Sequence, residues 1–408
     1  MKIHYHTDCS FFAGCENMLL SFFNSKLIRE NFSVSFSYRY SQKYEMGFNK
    51  RINPDFKVYK LKFLNIHEFD LLPIFIPFFL RRMIFFINRI LFLYPIYFFE
   101  IFYFIFFLKK IKPDIIHINN GGYPGALSCR AIALSAKFLK IKKIIMVINN
   151  IAVPYNSFFR ILEWPIDFIT VKCVSIFISG SEIAKNSIIK NIGANSNNCM
   201  SIHNGIKAIK NTKSKIDILN ELDSEQFGGI TIGVVGLLIP RKGHINFLKA
   251  LAIICKEVEH FSENVKVLFL GDGHLKEELL KFSHDNFNNN FIYFLGNKDD
   301  IGNYINALDI LVLPSIENED FPFVVLEAMS FSKPVIASKV AGTIEQIEHN
   351  FTGILVEPNR IDDLAKAIIK LYLNIDDRIF FGSNGYKRYL SMFESEISIQ
   401  KYYNLYNE

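Results

Sequence analysis

At 408 residues the chain is longer than one hydrophobic core usually serves, so two domains of roughly 200 residues each are expected. With half of its residues hydrophobic and 21% charged, it falls outside the disordered and low-complexity classes. Lys and Arg number 46 against 40 Asp and Glu, a formal +6 scattered along the chain, which argues against nucleic-acid binding and suits anionic phosphates or a membrane surface.

The chain opens on Lys2-Ile-His-Tyr-His6, a strand-like run with no apolar stretch of signal-peptide type after it. A helix is predicted from about Glu16 to Arg29 and a strand over Phe32–Ser37. Further apolar runs at Asp114–Ile118, Lys143–Ile148 and Ser175–Ile178 alternate with helix-compatible segments. That alternation predicts an α/β domain around a parallel sheet with crossover helices. A second series follows at Thr231–Leu238, Val265–Leu270, Phe291–Leu295, Asp309–Leu313, Pro334–Ala337 and Gly353–Val356. Between the two series, residues 208–229 are polar and end in Gly228-Gly229, as a linker would. The expected domains are therefore 1–207 and 230–385, with 386–408 a C-terminal helix free to pack back on the first domain. Cys9, Cys15, Cys129, Cys173, Cys199 and Cys255 form no CxxC pair and have no His at metal-ligand spacing, so they read as reduced thiols of a cytoplasmic protein.

Residues 71–108 are the one segment that resembles a membrane span, but Arg89, Pro95 and Glu100 interrupt it. Two readings stay open. The segment forms helices buried in the first domain, or it presents an aromatic surface, flanked by Arg81, Arg82, Arg89, Lys109, Lys110 and Lys112, that makes a peripheral contact with the inner face of a membrane through residues 71–112.

The stretch richest in chemistry is Leu313–Met329, where a strand ends, a polar loop follows and Pro322 is placed to start a helix. Ligands of open α/β sheets bind at such strand ends. The amides around Phe321, Pro322, Phe323 and Val324 would direct partial positive charge at a diphosphate. Glu319 in the loop and Glu327 in the helix are pure acceptors, repelled by phosphate and suited to sugar and ribose hydroxyls. Lys242 would neutralise charge developing on a leaving diphosphate. A helix-start preference for Glu319 and a solvated face for Glu327 and Lys242 are the plainer readings. Gly271-Asp-Gly273 lacks the third glycine of a dinucleotide fingerprint, and no P-loop pattern occurs.

The spacing in Glu319-Asp-Phe-Pro-Phe-Val-Val-Leu-Glu327 resembles the paired-glutamate motif of glycosyltransferase family four, retaining enzymes of the GT-B fold. Gly236-Leu-Leu-Ile-Pro-Arg-Lys-Gly243, Gly271–Leu275 and Leu313-Pro-Ser315 extend the resemblance, and Thr7–Glu16 and Ile202–Ile206 continue it into the first half. The resemblance implies two Rossmann-like domains facing a cleft, with Glu319 on the donor sugar, Glu327 on the ribose, and Lys242 and the backbone near Gly14 on the diphosphate. It implies a nucleotide-diphosphate sugar as donor and no metal. The absence of an Asp-x-Asp agrees, since Asp299-Asp300 is adjacent and precedes a helix.

Two departures stand out. Leu237 occupies the place of an Arg found in many relatives, so a phosphate cation is missing unless Arg241 replaces it. Asn149 stands where many relatives carry a His. On the acceptor side, Asn120, Gly122 and Tyr123 would form a flexible, hydrogen-bonding rim or, equally, a tight glycine turn. The implied activity is transfer of a sugar, with retention, to a saccharide or lipid-linked saccharide in surface-polysaccharide assembly. A non-catalytic sugar-nucleotide or partner-binding protein and a sugar-nucleotide epimerase of the same fold are the alternatives.

Overall fold

Strands form where apolar and β-branched residues run without interruption and helices can cover both faces of the sheet. The computed structural model describes the chain except for residues 11, 13, 15, 53, 64–77, 210–212, 223–226, 288–290 and 318. It divides into two compact units, Met1–Ile202 with Ile399–Glu408, and His203–Ser398.

The first unit holds β1 (Lys2–Thr7), β2 (Ser33–Arg39), β3 (Lys57–Leu61), β4 (Ile115–Asn120), β5 (Lys143–Ile148), β6 (Ile176–Ser179) and β7 (Cys199–Ser201). Their order is β3-β2-β1-β4-β5-β6-β7, and all pairings are parallel. The second unit holds β8 (Ile230–Val235), β9 (Val265–Leu270), β10 (Ile292–Gly296), β11 (Ile310–Leu313), β12 (Val335–Ser338) and β13 (Ile354–Val356), in the order β10-β9-β8-β11-β12-β13 and again parallel. Both sheets reverse their winding beside their first strand, the doubly wound arrangement that the alternating runs predicted.

The edge strands β3 and β7 escape a sequence reading because they are short and largely half-buried, so no continuous apolar run marks them. The helix expected over Glu16–Arg29 is two helices, Glu16–Asn24 and Lys26–Asn31, since the Ser25 hydroxyl accepts from Ile28 N and starts a new one. The segment read as a linker belongs to the second unit and contains the helix Lys215–Asn220. A Ser214/Asp217 capping box starts it, and Ile218 is buried beside Leu268 and Leu308. Residues 210–212 and 223–226 of that segment lie outside the described residues, as do Cys15 and residues 71–77. Cys129, Cys173, Cys199 and Cys255 are free thiols. In the first unit the C-terminal residues lie against the sheet. Tyr406 Oη meets His117 Nδ1 at 2.6 Å, and Lys143 Nζ donates to Leu405 O at 2.6 Å.

Phe78–Ile111 is one helix of 34 residues with Pro95 inside it. Leu93, Ile96, Tyr97, Ile101, Phe104, Leu108 and Ile111, at spacings of three and four, are buried in the core of the first unit. The helix packs on Leu127–Phe138, whose Ser135 hydroxyl donates to Ile101 O at 2.9 Å. The buried-helix reading therefore holds for one stripe, while Leu91, Phe98, Phe99, Phe102 and Phe106 of the same helix face outward.

Candidate active site

The winding of the second sheet reverses between β8 and β11, where the loops leaving two neighbouring strands diverge and leave room for a ligand. Close backbone contact builds this corner. Ile316 N donates to Arg241 O at 2.8 Å, Gly236 N to Leu270 O at 2.9 Å, and Leu238 N to Asp272 O at 3.0 Å. Gly243 has φ +67°, and a Cβ there would stand 2.0 Å from Pro314 O. Gly271 has φ +139°, and its Cβ would stand 2.0 Å from Gly236 O. No other residue fits either place, so these two glycines fix how the loops after β8, β9 and β11 stack. Gly273 lies against Leu238 in the same stack.

The 3-10 turn Pro240–Lys242 carries Arg241 and Lys242 toward the loop after β11. There the Lys242 ammonium donates to Glu319 Oε1, Arg241 Nη1 lies 3.4 Å from the same oxygen, and Ser315 Oγ donates to it at 2.7 Å. The Glu319 carboxylate is buried, and a buried carboxylate persists only when donors of this kind surround it. The residue expected on the donor sugar and the one expected on its diphosphate thus form an ion pair with each other. Leu237 is exposed, and Arg241 supplies a cation within reach of the same carboxylate.

Pro322 is the N-cap of the helix Phe323–Ser330, which has no side-chain cap, so the amides of Phe323 and Val324 have no partner inside the helix. Phe321 is buried. Its ring stacks on His203 at 4.9 Å and 12°, and His203 Nε2 meets Glu345 Oε2 at 3.0 Å. The Phe321 ring thus packs within the second unit and supports the loop, a contact that a motif cannot reveal. Glu327 is half-buried, and loss of hydration pushes its carboxyl up to about 7.

In the first unit Gly14 sits in an exposed turn. Behind it lies a polar cluster that motif reading missed. Glu16 accepts from Thr7 Oγ1 at 3.0 Å and Tyr44 Oη at 2.8 Å, and Asp8 accepts from Arg39 Nε at 2.6 Å and Ser128 Oγ at 2.5 Å. Asp8 follows β1 directly and Glu16 opens the next helix, so no short spacing marks the cluster. Asn149 Nδ2 donates to Asn119 Oδ1 at 2.8 Å and Asn120 O at 3.1 Å, which ties the ends of β4 and β5 together.

Of the two readings open for Asn120, Gly122 and Tyr123, a rim or a glycine turn, the side chains follow the turn. Asn120 is buried and accepts from Ala126 N at 3.2 Å, and the buried Tyr123 hydroxyl donates to Asp167 Oδ1 at 3.1 Å. Their polar groups are spent inside the unit because the turn through Gly122 and Gly125 folds them inward, with Gly125 at φ +59°. Among the described residues no three His, Cys, Asp or Glu side chains gather as a metal ion would require.

Residues 223–388 match the family model described as Glycosyl transferases group 1, and residues 58–208 match Glycosyltransferase Family 4. The chain belongs to glycosyltransferase family 4. Relatives of this glycosyltransferase include an uncharacterized glycosyltransferase of Methanocaldococcus jannaschii, 30% identical over 239 residues and 58% of either chain. Another is the UDP-Gal:alpha-D-GlcNAc-diphosphoundecaprenol alpha-1,3-galactosyltransferase of Escherichia coli, 26% identical over 279 residues, 67% of this chain and 69% of the other. The match thus spans little more than half the length of the first of these relatives. Anabaena Alr3699/HepE in complex with UDP superposes with a TM-score of 0.76 at 19% identity over the whole of both chains. TarM superposes at 0.71 and 15% identity, over 100% of this chain and 99% of that one. At such identities the shared property is the fold, two Rossmann-like domains of the GT-B kind.

Proposed function

We propose that this glycosyltransferase moves a sugar, with retention, from a nucleotide-diphosphate donor to a lipid-linked saccharide at a membrane surface. The observation that carries the reading is the buried Glu319 carboxylate, held by Lys242, Arg241 and Ser315 beside the uncapped start of Phe323–Ser330. Cations and free amides are what a diphosphate needs, and a carboxylate beside them accepts from the hydroxyls of the sugar it carries. When the diphosphate enters, Lys242 and Arg241 divide their donors between it and Glu319. As the bond from the anomeric carbon to the phosphate oxygen breaks, the charge left on that oxygen meets those cations and the Phe323 and Val324 amides. The acceptor hydroxyl forms the new bond on the same face and passes its proton to the departing phosphate oxygen, which leaves with the nucleotide diphosphate.

Two comparisons support the substrate classes. HepE was crystallised with UDP and with UDP-glucose, and the printed name of the Escherichia coli relative gives a diphosphoundecaprenol acceptor. A melting-point screen against UDP, GDP, ADP and their sugars reads out the donor, because a ligand of the native state raises the transition. A transfer assay with the stabilising sugar nucleotide and diphosphoundecaprenol-linked saccharides then reads out the acceptor. No stabilisation by any nucleotide diphosphate would overturn the proposal.

A further inference from the structure

The outward face of Phe78–Ile111 does not end with that helix. Phe86 stacks on Phe158 at 5.5 Å, and Phe85 and Phe86 both meet Phe159 edge-on. The helices Phe158–Leu162 and Trp164–Cys173 continue the apolar surface, with Trp164 and Phe168 exposed and stacked at 5.4 Å. Along the long helix Phe102 is 61% and Phe106 71% exposed, values that water alone would not favour in a face this extended.

The charges on the same segments are sorted by sign. Their only acids are Glu100, Glu163 and Asp167, all buried, the last two paired with Arg130 and Arg160. Lys109 and Lys110 are exposed, and Lys172 Nζ lies 4.0 Å over the Phe168 ring. Where the long helix ends, a cavity of about 410 Å³ is lined by Leu108, Lys109, Lys112, Lys140 and Lys142 together with one carboxylate, Asp114, whose Oδ2 accepts from Lys2 N at 2.7 Å.

We infer that this surface lies flat on a bilayer containing anionic phospholipid, with the aromatic face among the acyl chains near the headgroups and a lipid phosphate in the lysine-lined cavity. Met83–Ile111 is long and apolar enough to cross a membrane, but its inner stripe is built into the core of the first unit, whose loops and sheet edges could not follow it into lipid. A second copy of the chain laid on the same patch would set cation against cation. The inference deepens the proposed function and rests on it for the lipid-linked acceptor. The Tyr123 and Tyr155 hydroxyls both donate to Asp167, on the helix that carries Trp164 outward, so the acceptor-side turn and the lipid face share one buried network.

Flotation of the full chain with vesicles of phosphatidylcholine, alone or mixed with phosphatidylglycerol, tests it. The wild type should float with the mixed vesicles and be released by salt. Lys109→Gln with Lys110→Gln should weaken binding by about twenty-fivefold, from about fivefold per cation, and Phe102→Ser with Phe106→Ser by at least about tenfold. Trp164 is the single tryptophan of the sequence, so its emission should shift to the blue on the same vesicles and be quenched by brominated lipid. Variants that bind like the wild type at an unchanged melting point would overturn the inference, as would an unshifted Trp164 emission or a wild type that stays with the soluble fraction as a dimer. Donor turnover on a short water-soluble acceptor is measured alongside. Lost flotation with normal turnover sinks the lipid face alone, whereas normal flotation without any turnover sinks the enzymatic reading alone.

Discussion

Lys242 donates to Glu319 across 77 residues of sequence, joining the loop after β8 to the loop after β11 at the reversal point of the second sheet. The pair gives the corner a resting state in which neither charge is stranded, and it sets Lys242 where an entering diphosphate would have to share it.

Lys242→Ala should lower kcat/KM for the donor by about a hundredfold to a thousandfold, the usual effect of removing one group that stabilises a developing anion. Glu319→Gln should lower kcat with a smaller change in nucleotide affinity, because the amide keeps a partner for Ser315 but loses the charge. The double variant should lose less than the sum of the two, since each single change strands the other charge. Steady-state kinetics with full donor and nucleotide titrations decide it, and full turnover in both single variants would remove these residues from the site.

Gly243→Ala should destabilise the second unit and weaken nucleotide binding, because the new methyl meets Pro314 O at 2.0 Å and pushes the loop toward Glu319 out of place. Gly193→Ala is the control. Its φ is +73° with nothing within 4 Å, so it should show only the left-handed backbone penalty of about 1–2 kcal/mol. Equal melting points for the two variants would refute the stacking role of Gly243.

Glu327 ionises near neutrality, since its folded-state value of about 7 stands above the ordinary 4.5. The folded chain therefore holds a proton there that the unfolded chain has released, and this contribution to stability fades as pH rises from about 4.5 to about 7. If the carboxylate accepts from ribose, nucleotide affinity should rise between pH 6 and 8 and Glu327→Gln should flatten that rise. Calorimetric titration of the nucleotide over that range checks both, and a flat wild-type profile would contradict the assigned contact.

Burial holds three histidines of the first sheet below their ordinary 6.5, His6 to about 4, His117 to about 3, and His4 well below. Their folded values are depressed, so the stability they permit is complete above pH 6.5 and is lost as pH falls toward those values, by about 1.4 kcal/mol per pH unit for each histidine. Chemical denaturation at pH 7 and pH 5 should show the steep loss, and His117→Gln, which can still meet Tyr406, should lessen it.

The local order of residues settled much of this protein. Apolar runs alternating with helical segments favour parallel sheets with crossovers, and Pro322 suits the start of Phe323–Ser330 because its missing amide hydrogen would have had no partner there. The order of residues also carried the family resemblance, because Glu319, Glu327 and Lys242 lie in short motifs at set spacings. Other features are pairings across long separations, which a local pattern does not record. Ser35 and Ser37 receive the rings of His4 and His6, Asp8 finds Arg39 and Ser128, and Tyr406 closes on His117. Burial decided Tyr123, whose phenol has the same chemistry on a rim or in a core. It also divided Phe78–Ile111 into a packed stripe and an outward one, because a helix with apolar residues on every side carries too little periodicity to say which side its neighbours will cover.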